Sequence, residues 1–502
     1  MSQPHSGEDG SVHTQVKRRL KTRHLSMIAI GGCIGSGLFM TSGQAVHAAG
    51  PGGALLAYAC IGIMVYFLMT SLGEMATYLP ISGSFSAYAS RFVHPSIGFA
   101  LGWNYWLNWV ITVAADVSLS ALIFSYWEPL RVLPPMAWSA IFLAMIVGLN
   151  MLSVRAYGES EYWFSLIKVI TVVLFIIVGL LTILGIFGGD YIGLQNWHVG
   201  DAPFVGSTTH WSSKFLAALG VFLIAGYSFQ GTELIGIAAG ESEDPEKSIP
   251  RAVNQVFWRI LIFYIFSIAI IGLIIPYTSP DLLGAQEVAE IAKSPFTIVF
   301  EKVGLAMAAS VMNAVILTSI LSAGNSGFYA STRMLHAMAV DGMAPKAFAK
   351  VNKAGTPRNA LYLTLVMVVV VFLMQLGSPH AYEYIIAASG LTGFIAWLGI
   401  ALSHYRFRKA YIAQGKNLDD LVYRAKLFPF GPIFALVLCT IVIIGQDTAL
   451  LEGEINLRQL ATTYLGIPVF IAVFLYHKIK YNPKMIPLKE VDLNQDHKME
   501  EK

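Results

Sequence analysis

Apolar residues in this chain come in long, nearly uncharged blocks, with polar residues between them as short punctuation. The blocks lie at about residues 25 to 49, 53 to 79, 97 to 125, 136 to 154, 160 to 187, 214 to 240, 252 to 276, 296 to 332, 360 to 377, 383 to 405, 428 to 446 and 459 to 477. A helix needs roughly 20 mostly apolar residues to cross the hydrocarbon core of a bilayer. The pattern therefore predicts an all-α polytopic membrane protein with twelve transmembrane helices. Two of the blocks are interrupted. Residues 27–40, MIAIGGCIGSGLFM, carry Gly31, Gly32, Gly35 and Gly37 at their middle, and residues 225–236, AGYSFQGTELIG, mix small and polar residues in the same way. Glycine destabilises a helix interior by about 1 kcal/mol relative to alanine. In lipid, a broken backbone persists only where protein or a water-filled cavity satisfies its freed N–H and C=O groups. Two broken segments at corresponding places in two halves point to a transporter with its substrate site near the bilayer midplane.

Composition removes the soluble classes: 55% of the 502 residues are hydrophobic and 13% charged, against about a quarter charged in soluble domains. The net charge of +3 matters less than its distribution. With the N-terminus inside, 27 of the 33 Lys and Arg fall on inner tails and loops, 5 on outer loops and Lys168 within a span. That asymmetry predicts that both termini are cytoplasmic. The basic cluster 17–23 reads as a topogenic signal at the membrane surface rather than a nucleic-acid site. The first 24 residues are too polar, and the first block too long, for a cleavable signal peptide. Cys33, Cys60 and Cys439 all fall inside spans and read as packing residues, with no disulfide framework.

The third span holds Tyr105, Trp109, Thr112 and Asp116 at i, i+4, i+7 and i+11, on one helical face. Rings for a cationic stem and a carboxylate for its end are what a long basic side chain selects; packing rings and an acid bonded to a neighbouring helix would give the same stripe. In the fifth span Lys168 lies about 10 Å deeper than Glu161 at 1.5 Å per residue. It either snorkels to the inner surface or presents a buried ammonium to the carbonyls of the broken first span. Glu233 opens the second half of the sixth span, where a helix N-terminus favours a carboxylate, as a substrate contact or as a brace for unwound backbone. Glu74 reads as a structural contact near the inner face. Residues 241–251 read as a solvated loop with internal ion pairs, and the small polar run 322–327 as the end of the eighth span, suited to close helix approach. The last two spans read as an appended hairpin and the tail from Tyr481 as disordered. No Cys/His cluster has metal-ligand spacing and no phosphate loop is present. No cofactor is expected, and energy must come from a source other than ATP.

At residues 31–39 (GGCIGSGLF), 229–236 (FQGTELIG) and 322–335 (SAGNSGFYASTRML) the chain closely resembles the amino acid permeases of the amino acid, polyamine and organocation superfamily. The likeness runs from about residue 17 to 478. Residues 100–106, 162–169, 238–259 and 393–408 are most similar to the bacterial lysine-specific permeases. The resemblance implies the leucine-transporter fold, with inverted repeats over 25–187 (helices 1 to 5) and 214–409 (helices 6 to 10). Helices 11 and 12 follow at 428–478, between a basic tail at 1–24 and a polar tail at 481–502. It implies proton-coupled import of L-lysine across a bacterial inner membrane by alternating access, with protons as coupling ion and Lys168 in the place of a sodium ion. Glu233 is a second candidate for the coupling. The substrate carboxylate is expected on the N–H groups of Gly35, Ser36 and Gly37. Its ammonium is expected on carbonyls around Ile30 and Cys33 and of Tyr227 and Gln230. Cys33 departs from the Ser or Thr of the family, and Tyr227 stands where Phe is usual. Such a backbone site reads an amino acid, and the third-span stripe is the candidate reader of its side chain. Arginine, ornithine or another amino acid remain alternative substrates, and a non-transporting lysine receptor on a permease scaffold is the alternative of a different class.

Overall fold

A computed structural model describes residues 18–495, apart from 33, 153, 284–293, 303, 305, 353–354, 376–380, 448–449, 451–452 and 454. Among the described residues every regular element is helical. Seven helices are long and apolar enough to cross a membrane: Gly37–Tyr78, Pro95–Phe124, Val154–Ile183, Trp211–Glu241, Pro245–Ile274, Met307–Val340 and Ala387–Ala413. Pro135–Met151, Arg358–Met374 and Phe430–Gly445 are shorter and also apolar.

Both expected interruptions are present. Helix α1 (Thr22–Gly31) stops at the first glycine pair, and the chain resumes through a π-helical turn, Gly37–Thr41, into α2 (Ser42–Tyr78). Inside α2 the chain turns a single-residue corner: Gly50 has φ 75°, and Pro51 starts the next stretch of helix, where its missing N–H does no harm. The Gly52 N–H donates to Pro203 O at 2.8 Å. After α3 (Ser84–Phe92), α4 (Pro95–Phe124), α5 (Pro135–Met151) and α6 (Val154–Ile183), the second break separates α7 (Trp211–Phe229) from α8 (Leu234–Ala238). Gly231 there has φ 92°, a backbone state that residues with a Cβ rarely adopt. The carbonyls that the break frees are taken up by side chains: Tyr264 Oη donates to Ser228 O at 3.1 Å and Thr232 Oγ1 to Phe229 O at 2.5 Å.

The second half of the chain departs from the expected pattern in three places. The eighth apolar block is two helices, α11 (Pro295–Lys302) and α12 (Ala306–Val340), reached after α9 (Pro245–Arg259) and α10 (Ser267–Ile274). The run 322–327 lies in the middle of α12, because α12 packs along α4 and its small residues let α4 side chains approach; a Cβ on Gly324 would lie 3.5 Å from that of Asp116. The last apolar helices do not pair as a hairpin. After α13 (Arg358–Gln375) and α14 (Ala381–Ala413), α15 (Phe430–Gly445) packs on α14, α2 and α7, whereas α17 (Gly466–Tyr481), which follows the short α16 (Leu457–Tyr464), packs on α4.

One end of the bundle is closed by buried charge. Glu74 accepts from Arg408 Nε at 2.6 Å and from the Ala425 N–H at 2.7 Å, the structural contact its position suggests. Glu241, expected in a solvated loop, is buried instead. It accepts from Arg333 Nε and Tyr329 Oη, both at 2.5 Å, and its carbonyl takes the N–H groups of Arg19 and Leu20 at 2.9 Å. The cause is positional: α8 ends there, and the N-terminal segment and α12 converge on the same spot. Beyond it Glu243, Glu246, Lys247 and Arg251 are exposed, with an Asp244–Lys247 pair at 3.0 Å, whereas Ser242, Ser248 and Ile249 are buried and α9 has begun at Pro245. The tail, expected to be disordered from Tyr481, is docked over its described part. Val491 and Leu493 are buried. Tyr78 Oη donates to Leu493 O, Arg91 Nε to Asp492 O and Gln414 Nε2 to Val491 O, each at 2.7 Å.

Candidate substrate site

The two breaks face each other. A methyl group on Gly37 would lie 2.4 Å from Ser228 Cα, so the π-helical turn after the first break and the end of α7 touch without room for a side chain. Between them is a cavity of about 20 Å³, bordered by Gly35, Ser36, Trp109, Asp116, Tyr227 and Gln230 among others. That is room for about one water molecule.

Ser36 is the hub. Its Oγ donates to Asp116 Oδ1 at 2.6 Å and lies 3.0 Å from Tyr227 Oη. Asp116 is 1% exposed, and its Oδ2 has no hydrogen-bond partner. A carboxyl group is thus held against the first-span break, with one oxygen fixed and the other uncommitted. Trp109 and Thr112 border the same cavity. Tyr105 does not: its Oη donates to Glu233 Oε1 at 3.1 Å. It meets Trp109 edge to face, with ring centroids 6.1 Å apart. The stripe on α4 therefore divides, its far members lining the cavity and its near member bracing the other break.

Glu233 also accepts from Trp397 Nε1 at 3.2 Å and from the Gly231 N–H at 3.3 Å, the geometry of a brace across unwound backbone. Gln230 is held by α14: its Nε2 donates to Ser389 O at 2.7 Å, and Ser389 Oγ donates to its Oε1 at 3.1 Å. The chain of bonds continues from Thr392 Oγ1 to Asn108 Oδ1 at 2.7 Å. Lys168 is 1% exposed and does not snorkel; its Nζ donates to Gly31 O at 2.9 Å, at the end of α1. Ile30, beside it, is half-buried against the core. Cys33 lies outside the described residues.

Sequence reasoning passed over Glu161, which is fully buried and accepts from Asn325 Nδ2 at 2.6 Å and Ser322 Oγ at 2.8 Å. Asn150 Nδ2 in turn donates to Asn325 Oδ1 at 2.7 Å. The signal was there: Glu161 and Lys168 are seven residues apart, on one face of α6. The Ser389, Thr392 and Asn108 network was passed over as well, because single hydroxyls and amides in apolar helices are common and carry no spacing rule.

Broken helices that meet around a polar pocket inside a bundle of apolar helices define a membrane permease. The chain belongs to the amino acid permease family, whose model matches residues 24–486. It is 56% identical over 486 residues to the lysine-specific permease LysP of Escherichia coli (strain K12), covering 96% of this chain and 97% of that one. To LysP of Lactococcus lactis subsp. cremoris (strain MG1363) it is 55% identical over 489 residues, covering 97% and 95%. To the histidine permease HisP of the same organism it is 54% identical over 483 residues, covering 96% and 99%. Among solved structures it shares a fold with the Eremococcus coleocola manganese transporter, with a TM-score of 0.52, 14% identity, and coverage of 94% of this chain and 98% of that one.

Proposed function

We propose that the protein imports L-lysine across a bacterial inner membrane by proton-coupled alternating access. In this reading twelve helices span the bilayer, the first ten form two inverted repeats of five, and both termini are cytoplasmic. One observation carries the substrate assignment: a buried carboxyl group, Asp116, stands at the first-span break with Oδ2 unpartnered, where a cationic side chain entering the cavity would meet it. The α-carboxylate takes the N–H groups of Gly35, Ser36 and Gly37, and the α-ammonium the carbonyls around Ile30 and Cys33 and of Tyr227 and Gln230. Lysine therefore enlarges the cavity by displacing Ser36 from Asp116.

Lys168 couples the proton. As an ammonium it makes a charge-assisted bond to Gly31 O, of the kind roughly twice as strong as a neutral one. Loss of its proton weakens the tie between α6 and the end of α1 and frees α1 to swing. Near-equal identity to lysine and histidine permeases favours histidine as the second substrate reading. Purified protein in liposomes separates the cases. Under an inward proton gradient, radiolabelled lysine should accumulate above its external concentration, and excess histidine should compete weakly. Accumulation of histidine in preference reassigns the substrate, and binding without accumulation makes the protein a receptor.

A further inference from the structure

Away from the substrate cavity, a second and much larger opening of about 600 Å³ lies between α4, α14 and α17, bordered by Phe99, Trp103, Leu107, Val469, Ala472 and Tyr476 among others. Two of its polar wall residues bond within the protein: Asn104 Nδ2 donates to Thr392 O at 2.8 Å, and Thr392 Oγ1 donates to Asn108. The rest of the lining is almost wholly aliphatic and aromatic, so the cavity suits a hydrocarbon. Along α17 the lining runs from Gly466 to Tyr476. At 1.5 Å per residue that is about 15 Å, half the roughly 30 Å hydrocarbon core of a bilayer. A cation sits at one mouth: Lys480, which is exposed, donates from Nζ to Tyr476 Oη at 3.1 Å. The neighbouring Lys478 is exposed as well.

From this geometry we infer that the groove binds one anionic glycerophospholipid, an acyl chain lying along α17 against α4 and the headgroup phosphate held by Lys480 and Lys478. Length matches one leaflet, the lining matches an acyl chain, and the charge lies where the phosphate of that leaflet must be. The leaflet is the cytoplasmic one on the topology proposed above; the binding itself does not depend on that topology or on lysine transport. Thr392 belongs both to the groove wall and to the network that reaches Gln230, so an acyl chain in place supports the site from behind.

Native mass spectrometry of the delipidated full chain, titrated with dioleoyl phosphatidylglycerol or dioleoyl phosphatidylcholine, tests this. The intact protein should retain one phosphatidylglycerol in preference to phosphatidylcholine. Ala472→Trp, which fills the groove from the rim of a peripheral helix, should lose that lipid. Lys480→Gln, a change at an exposed residue, should weaken its retention about fivefold. Equal retention of the two lipids, or unchanged retention in both variants, overturns the proposal. So does a wild-type dimer that Ala472→Trp dissociates without changing the lipid count, because the groove is then an interface between copies. Lysine counterflow measured on the same preparations reports separately on the transport reading.

Discussion

Asp116 gives one oxygen to Ser36 and keeps the other free, inside a cavity too small for any amino acid. Burying an acid in that posture is costly, and a cation that replaces the serine hydroxyl recovers part of the cost. Asp116→Asn should therefore weaken lysine binding by about tenfold or more, the order expected when one partner of a desolvated charge pair is removed, as read by scintillation proximity on purified protein. Unchanged affinity in a well-folded variant would reduce the α4 stripe to packing. Lys168→Ala should abolish gradient-driven accumulation while lysine exchange between the two sides persists; continued uphill uptake would make Lys168 a structural tie only. Both residues were legible in the sequence because charge inside an apolar block is rare. So was one partner, the first-span carbonyl that takes the Lys168 ammonium; those of the α4 stripe were not. Helical spacing places Tyr105, Trp109 and Asp116 on one face, but it says nothing of what stands opposite, and Tyr105 turns out to serve Glu233. Tyr227 Oη lies 3.0 Å from the serine that Asp116 holds.

At the scale of elements, glycine density located both breaks to within a few residues, since nothing else explains such weak helix formers in an apolar block. The breaks are also packing contacts. A Cβ on Gly37 meets Ser228 backbone at 2.4 Å, and backbone cannot rotate away as a side-chain tip can. Gly37→Ala should insert normally yet transport poorly, with the strain of an overpacked contact at about 1–3 kcal/mol, measured as a lowered melting temperature alongside a larger fractional loss of uptake. If uptake is normal, the two segments separate more easily than their contact suggests. Elements that hydropathy misjudged were those whose limits depend on partners. α12 runs through its small residues because α4 fills the space beside them, and α17 leaves α15 to cover α4. Neither choice has a local signature in the chain.

At the scale of the whole molecule, the topology proposed above puts the excess of Lys and Arg on the cytoplasmic side. Two buried pairs, Glu74 with Arg408 and Glu241 with Arg333, tie elements far apart in the chain. A cysteine placed at exposed Thr278 should react with an impermeant thiol reagent added to intact cells, and one at exposed Lys350 should react only after the cells are opened; the opposite labelling would invert the topology. The docked tail has a consequence for how such a molecule is made. Tyr78 Oη and Leu493 O bond across 415 residues of chain, so this seam joins a helix to a segment synthesised long after it. Contacts of such long range form late. Until they form, the ends of α2, α3 and α14 present unsealed surface to proteases and chaperones. A chain stopped after Tyr481 should accordingly reach the membrane in full amount and then disappear from it faster than the intact one, a difference in lifetime that pulse-chase labelling reads directly.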